Sequence, residues 1–345
     1  MDFLRRLLGL SSNSSPVAHP EEVSITYQAD EKAASAPQPV IEAPPANEPN
    51  SADEAETPNP NANPKPAPEA VSMGTRPLPP LETIVPKPGQ RLVFGHLSDV
   101  GMVRGNNQDS VFTLFASGTS VDAMPDFGLF IVADGMGGHL EGERASAITT
   151  RIVARYVLRE IYVVLLSQQM DEPERPSISD VLRAAVQEAN EAVTEQIPEG
   201  GTTVTTTVII DDLAYIAHVG DSRAYLITDD RIEQITRDHS LVQRLIELDQ
   251  LTPEEAAEHP QRNVLYRAIG QSETLDVDAI TRRLPPHSRL MLCSDGLWNM
   301  VPEDQIQEIV SHQRDPQDAC NLLVKLANDR GGLDNISVTV IQMPG

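Results

Sequence analysis

Apolar and polar positions change their rhythm at about residue 89. Residues 11–88 show no period. Beyond them, strand-like and helix-like stretches follow one another closely. Arg91-Leu-Val-Phe and residues 111–115 read as strands, and the near-continuous apolar run 128–133 reads as a buried strand. Residues 145–166 predict a long helix. Residues 179–193 predict a second, with Val181, Leu182, Ala185, Ala189 and Val193 on one stripe. A meander follows over 203–210, 214–219, 223–227 and 232–235, its strands parted by Asp211-Asp212, Gly220-Asp221 and Asp229-Asp230. Residues 241–248 and 253–258 are short helices, the second with Thr252 as N-cap and Glu255 completing a capping box. Residues 289–293 form another buried strand, 303–311 and 316–328 are helices, and 336–341 is the last strand. This order is an α+β pattern with helices packed on sheets.

Composition separates the two regions. Residues 1–88 hold 17 of the 28 prolines and are rich in Ala, Asn and Glu. Such a stretch buries too little apolar surface to offset its chain entropy, so it is expected to be disordered. At its start, Phe3, Leu4, Leu7 and Leu8 share a helical face beside Arg5 and Arg6. Residues 3–10 therefore read either as a frayed turn or as a short amphipathic docking helix, marginal alone and a weak membrane binder. Residues 89–345 are enough for one well-buried domain.

The chain of 345 residues carries 26 basic and 51 acidic residues, a net charge of −25. That balance argues against nucleic acid as a partner and against an anionic membrane surface. The two cysteines, Cys293 and Cys320, allow no disulfide framework, and a reducing cytoplasm is the expected location. The longest apolar runs are too short for stable membrane insertion.

The candidate chemistry lies in aspartates. Phe130-Ile-Val-Ala-Asp-Gly135 and Leu290-Met-Leu-Cys-Ser-Asp-Gly296 are apolar strands ending in Asp-Gly, which project a carboxylate from a rigid strand end. Asp99, Asp109, Asp221, Asp238 and Asp334 sit at turns. No Cys/His zinc spacing is present. An all-oxygen set suits Mg²⁺ or Mn²⁺, and two such ions sharing a carboxylate can activate water and clamp a phosphoryl group.

These residues carry a resemblance. Asp99-x-Gly101-x-x-Arg104-x-x-Asn107-Gln108-Asp109, Asp134-Gly-Met-Gly-Gly-His139, Gly201-Thr-Thr-Val204, Gly220-Asp-Ser-Arg223, Asp238-His-Ser240, Ser294-Asp-Gly-Leu297 and Gly332-Leu-Asp-Asn335, in this order, resemble the metal-dependent protein phosphatase family (protein phosphatase 2C) in its bacterial form. The resemblance covers residues 91–343 and implies a four-layer α–β–β–α sandwich with metals between the sheets.

It also implies roles. Asp134 corresponds to the carboxylate bridging two metals, and the Gly135 carbonyl to a ligand of the second. Asp295 and Asp334 complete the first metal's shell, and Asp109 lies at the metals directly or through water. Asp221 corresponds to the ligand of a third, weaker ion. Arg104 grips the substrate phosphate. His139 stands near the place of the proton donor, since Met136 occupies the position that is His in animal members. Gln108 replaces a common Glu and brings no charge. The segment 241–269 corresponds to a mobile flap.

Three residues stay open between chemistry and structure. Asp99 either takes part directly or orients the Arg104 loop, His239 either acts or belongs to helix capping, and Cys293 reads as a buried structural thiol.

The expected activity is hydrolysis of phosphoserine and phosphothreonine monoesters by in-line attack of a metal-bridging hydroxide. The partners are phosphorylated proteins, the targets of a Ser/Thr kinase, and the chain is expected to be a monomer. The alternative is a catalytically weak phosphopeptide-binding scaffold, or a small-phosphoester hydrolase, on the same fold.

Overall fold

The computed structural model describes residues 91–118, 124–137, 141–167 and 175–345. The expectations for residues 1–88, including a helix over 3–10, lie outside the described residues, as does His139.

Two antiparallel sheets form the centre. One has the strand order β1 (Val93–Asp99), β11 (Ile336–Gln342), β10 (Arg289–Cys293), β7 (Arg223–Ile227) and β8 (Ile232–Gln234). The other runs β2 (Asp109–Ala116), β3 (Phe127–Met136), β5 (Val204–Ile210), β6 (Leu213–Val219) and β9 (Asp278–Arg283), with β4 (Gly201–Thr202) added to β3. Helices α1 (Glu141–Val157) and α3 (Ile178–Gln196) pack on the second sheet. The first is covered by α7 (Glu303–His312) and α8 (Pro316–Asp329).

Strands β3 and β10 are continuously apolar because each faces two cores. Successive side chains of a strand point to opposite faces. In β3, Leu129 and Ile131 enter the core beneath α1 and α3, while Phe130 and Val132 enter the core between the sheets. In β10, Met291 and Cys293 face α7 and α8, while Leu290 and Leu292 face the other sheet. Three cores between four layers are the α–β–β–α sandwich.

Three differences from the sequence expectation have local causes. The helix expected over 145–166 starts at Glu141 and changes to π-type hydrogen bonding over Leu158–Tyr162 before the short α2 (Val163–Leu166). There the Tyr162 ring packs on Phe127, 4.9 Å between centroids. Strand β9 was not expected, because as an edge strand reading DAITRR it has little apolar pattern. The Thr252 capping box opens α5 (Pro253–Ala257) as expected. Helix α4 (Leu241–Glu247), however, is capped by Ser240 rather than His239.

Candidate active site

The strand registers bring distant aspartates to one end of the sandwich. Asp109 and Asp134 are directly opposed across β2 and β3. In the other sheet, Cys293 pairs with both Val338 and Arg223, and Asp99 pairs with Ile336. The segments carrying Asp221, Asp295 and Asp334 therefore leave that sheet at the same end. The two sets meet through Ser294, fully buried, whose Oγ donates to Asp109 Oδ2 at 2.8 Å and accepts from the Ser337 N–H at 2.9 Å.

The two Asp-Gly pairs end their strands differently from the expectation. Asp134 and Gly135 lie within β3, because β4 pairs with Gly135 and Met136 and prolongs the strand. Asp295 opens a short helix, α6 (Asp295–Trp298), and so follows the strand end rather than forming it. Both glycines are required by close approach. A Cβ on Gly135 would lie 2.2 Å from the Gly142 carbonyl oxygen, and one on Gly296 would lie 2.0 Å from that of Asn335.

The cluster is rich in negative charge and poor in compensation. Desolvation first, then the charges of Asp109, Asp295 and Asp221, hold the Asp134 carboxyl well above its ordinary range. Asp295 is raised in the same way, by desolvation and then by Asp221 and Asp334. Burial pushes Asp109 up to about 6 and Asp221 to about 7, the latter helped by Asp238 and opposed by Arg223. Asp109 Oδ1 is buried and takes no hydrogen bond. Such groups call for a cation. All the donors are oxygens, which suits a hard divalent ion. Among the described residues, no three His, Cys, Asp or Glu side chains stand close enough together to enclose an ion by themselves. A Mg²⁺ ion usually keeps several waters and takes only one or two carboxylates.

Arg104 reaches into this end from the loop between β1 and β2. Its Nη2 donates to Asp334 Oδ2 at 2.6 Å, and its side chain is half exposed. The loop is held by Asn335, which accepts from the Gln108 N–H at 2.8 Å and donates to the Val100 and Asn106 carbonyls at 2.9 Å each. Asp99 Oδ1 accepts from the Gly101 N–H and from Asn328 Nδ2, so its side chain braces this loop.

Asp221 is tied from two sides. Its carbonyl accepts from Trp298 Nε1 at 3.1 Å. The preceding Gly220, at φ +109°, donates its N–H to His239 Nδ1 at 3.0 Å. His239 Nε2 lies 3.2 Å from Asp278 Oδ2, so this histidine props the Asp221 turn. Arg223 stacks 3.6 Å from the Trp298 ring centre and forks onto Asp238. Cys293 is fully buried and its thiol is pushed up to about 12 by desolvation, which suits a structural role and not a nucleophile.

The structure thus gathers Asp109, Asp134, Gly135, Asp221, Asp295, Asp334 and Arg104. Sequence reasoning assigned no role to Ser294, Asn335, Trp298 or Arg223. Their motif neighbours were visible, but the side-chain partners of Ser294, Asn335 and Trp298 lie 41 or more residues away along the chain, and Arg223 meets Trp298 only in the fold.

Known proteins share this arrangement of chain. The protein phosphatase PhpP of Streptococcus pneumoniae is 37% identical over 252 residues, 72% of this chain and 96% of that protein. The serine/threonine phosphatase PstP/Ppp of Mycobacterium tuberculosis has a solved structure that matches at TM-score 0.62 and 32% identity, covering 74% of this chain and 100% of that one. A structure of the catalytic domain of the phosphatase PstP in complex with 2 manganese ions matches at TM-score 0.59 and 31% identity, covering 73% and 98%. Residues 103–327 match the family model for protein phosphatase 2C. A four-layer sandwich with a carboxylate cluster at one end, together with these similarities, leads to one conclusion: the chain belongs to the protein phosphatase 2C family.

Proposed function

We infer that the chain is a metal-dependent serine/threonine protein phosphatase. The observation that carries this is the convergence of five aspartates from both sheets, with Arg104 against Asp334 at their edge. The carboxylates whose loss would favour a scaffold are all present. Asp134, Asp109, Asp295, Asp334 and the Gly135 carbonyl would hold two divalent ions, Mg²⁺ or Mn²⁺, and Asp221 would hold a third. Ions there lower the pKa of coordinated water and neutralise phosphoryl charge.

The chain's own residues do the rest. Ser294 fixes the rotamer of Asp109 by its hydrogen bond. Arg104 exchanges Asp334 for the substrate phosphate, whose oxygens match its planar fork. The departing Ser or Thr oxygen needs a proton, for which His139 is the candidate. The substrates are phosphorylated proteins, products of a Ser/Thr kinase. Both cysteines are buried and free, in keeping with work in a reducing cytoplasm. Among the described residues no helix is long and apolar enough to cross a membrane.

The test is phosphate release from phosphoserine and phosphothreonine peptides. Chelation should abolish it and Mn²⁺ restore it, while Asp134→Asn should cost at least roughly 100-fold in kcat, about 2.7 kcal/mol. Metal-independent turnover, or near-normal activity of the variant, removes the reading.

A further inference from the structure

Two loops at the mouth of the site present bare apolar side chains. Met102, Val103 and Leu333 are 69%, 64% and 54% exposed, and Val100 is 36% exposed. The remaining exposed large apolar side chains among the described residues come in ones and twos from separate elements. These four come from the loops that carry Arg104 and Asp334.

Their exposure does not come from slack backbone. The Met102 N–H donates to the Gly332 carbonyl at 2.8 Å. Gly101, at φ +78°, lies so close that a Cβ would meet the Asp334 carbonyl oxygen at 2.2 Å. A Cβ on Gly332 would meet Met102 Cγ at 2.9 Å. Asn335 holds the Val100 carbonyl from below. The loops are interlocked by their glycines and push their large side chains outward. Contiguous exposed apolar surface on a soluble domain marks an interaction site.

The position of the patch selects the occupant. Leu333 also lines a cavity of about 780 Å³ together with Asp295, Asp334 and Trp298, so the patch borders the site at Leu333. Met102 and Val103 lie within two residues of Arg104 and Leu333 adjoins Asp334, so a peptide whose phosphate meets Arg104 has these side chains within reach. We propose that this apolar rim is a specificity surface that takes an aliphatic or aromatic side chain of the phosphoprotein substrate within three residues of the phosphorylated one.

The proposal rests on the phosphatase reading and deepens it. The experiment uses the full chain with Mn²⁺ and a set of phosphothreonine peptides in which one leucine is moved from position −3 to +3 on a serine background. At one or two positions leucine should raise kcat/KM about tenfold over serine, the order expected for covering part of a leucine side chain. In the Met102→Ser/Leu333→Ser variant that preference should shrink to about twofold or less, read as the leucine-to-serine ratio of kcat/KM within each protein so that any change in basal rate cancels. A leucine preference that survives the double substitution, or no preference at any position, overturns the proposal. Light scattering on both proteins covers the competing occupant. If the substitutions abolish a dimer and leave peptide preference intact, the rim binds a second copy and the proposal fails. Turnover of p-nitrophenyl phosphate with none of any phosphopeptide would instead overturn the protein-phosphatase reading, and this proposal with it.

Discussion

Replacing Asn335 by alanine tests how the Arg104 loop is held. The side chain is almost fully buried and makes three hydrogen bonds, one to the Gln108 N–H and two to the Val100 and Asn106 carbonyls. The Gln108 residue is buried, so removing its acceptor costs about 1–3 kcal/mol. The two carbonyls stand nearer solvent, and each lost bond costs about 0.5–1 kcal/mol. Asn335→Ala should therefore destabilise by about 3 kcal/mol. Asn335→Asp is the sharper variant. It keeps an acceptor for Gln108 but turns the donor into an oxygen facing two carbonyls, beside Asp334, so its loss should be at least as large. Urea unfolding in EDTA, followed by the fluorescence of Trp298, the chain's single tryptophan, measures both. Because the same clamp positions Arg104, kcat/KM for phosphopeptide should fall at least about tenfold at a temperature where the variants remain folded. Losses below 1 kcal/mol in both variants, or a wild-type Asn335→Asp, would refute this account.

Asp221→Ala should leave the fold and the two tightest Mn²⁺ equivalents in place by calorimetry. It should remove a weaker equivalent and cut turnover sharply, with partial recovery at high Mn²⁺; a wild-type metal titration and rate would leave Asp221 only its turn role. The pH dependence of stability should change sign with metal. Asp109, Asp221, Asp134 and Asp295 all have folded values raised above those of the unfolded chain. The stability they contribute is complete below the unfolded value and is lost as pH rises through the folded one. His218 opposes this, since burial lowers it to about 3, but above pH 6.5 it is mostly neutral in both states. In EDTA the protein should lose stability as pH rises through about 7, the folded value of Asp221, whereas with saturating Mn²⁺ it should gain, because binding releases those protons. Parallel slopes in chemical denaturation with and without metal would contradict the cluster's electrostatics.

Much of this protein is written in local pattern. The apolar runs 128–133 and 289–293 announce strands covered on both sides, and the stripe Val181, Leu182, Ala185, Ala189 and Val193 announces a helix with one buried face. Glycine beside aspartate is also legible, since a missing side chain is a local property even when its purpose is distant. Motif order carried the resemblance and hence the candidate carboxylates. What the sequence could not state is who meets whom. Strand β9 escaped notice because its residues are polar and its pairing with β6 alone makes it a strand. Ser294 becomes a tie between sheets only when Asp109, 185 residues earlier, arrives opposite it. His239, open in the sequence between acting and capping, accepts from the Gly220 N–H. Periodicity reports which face of an element is buried, because burial repeats with the backbone. A side-chain hydrogen bond reports a single encounter in space, and only the packed sheets decide that encounter.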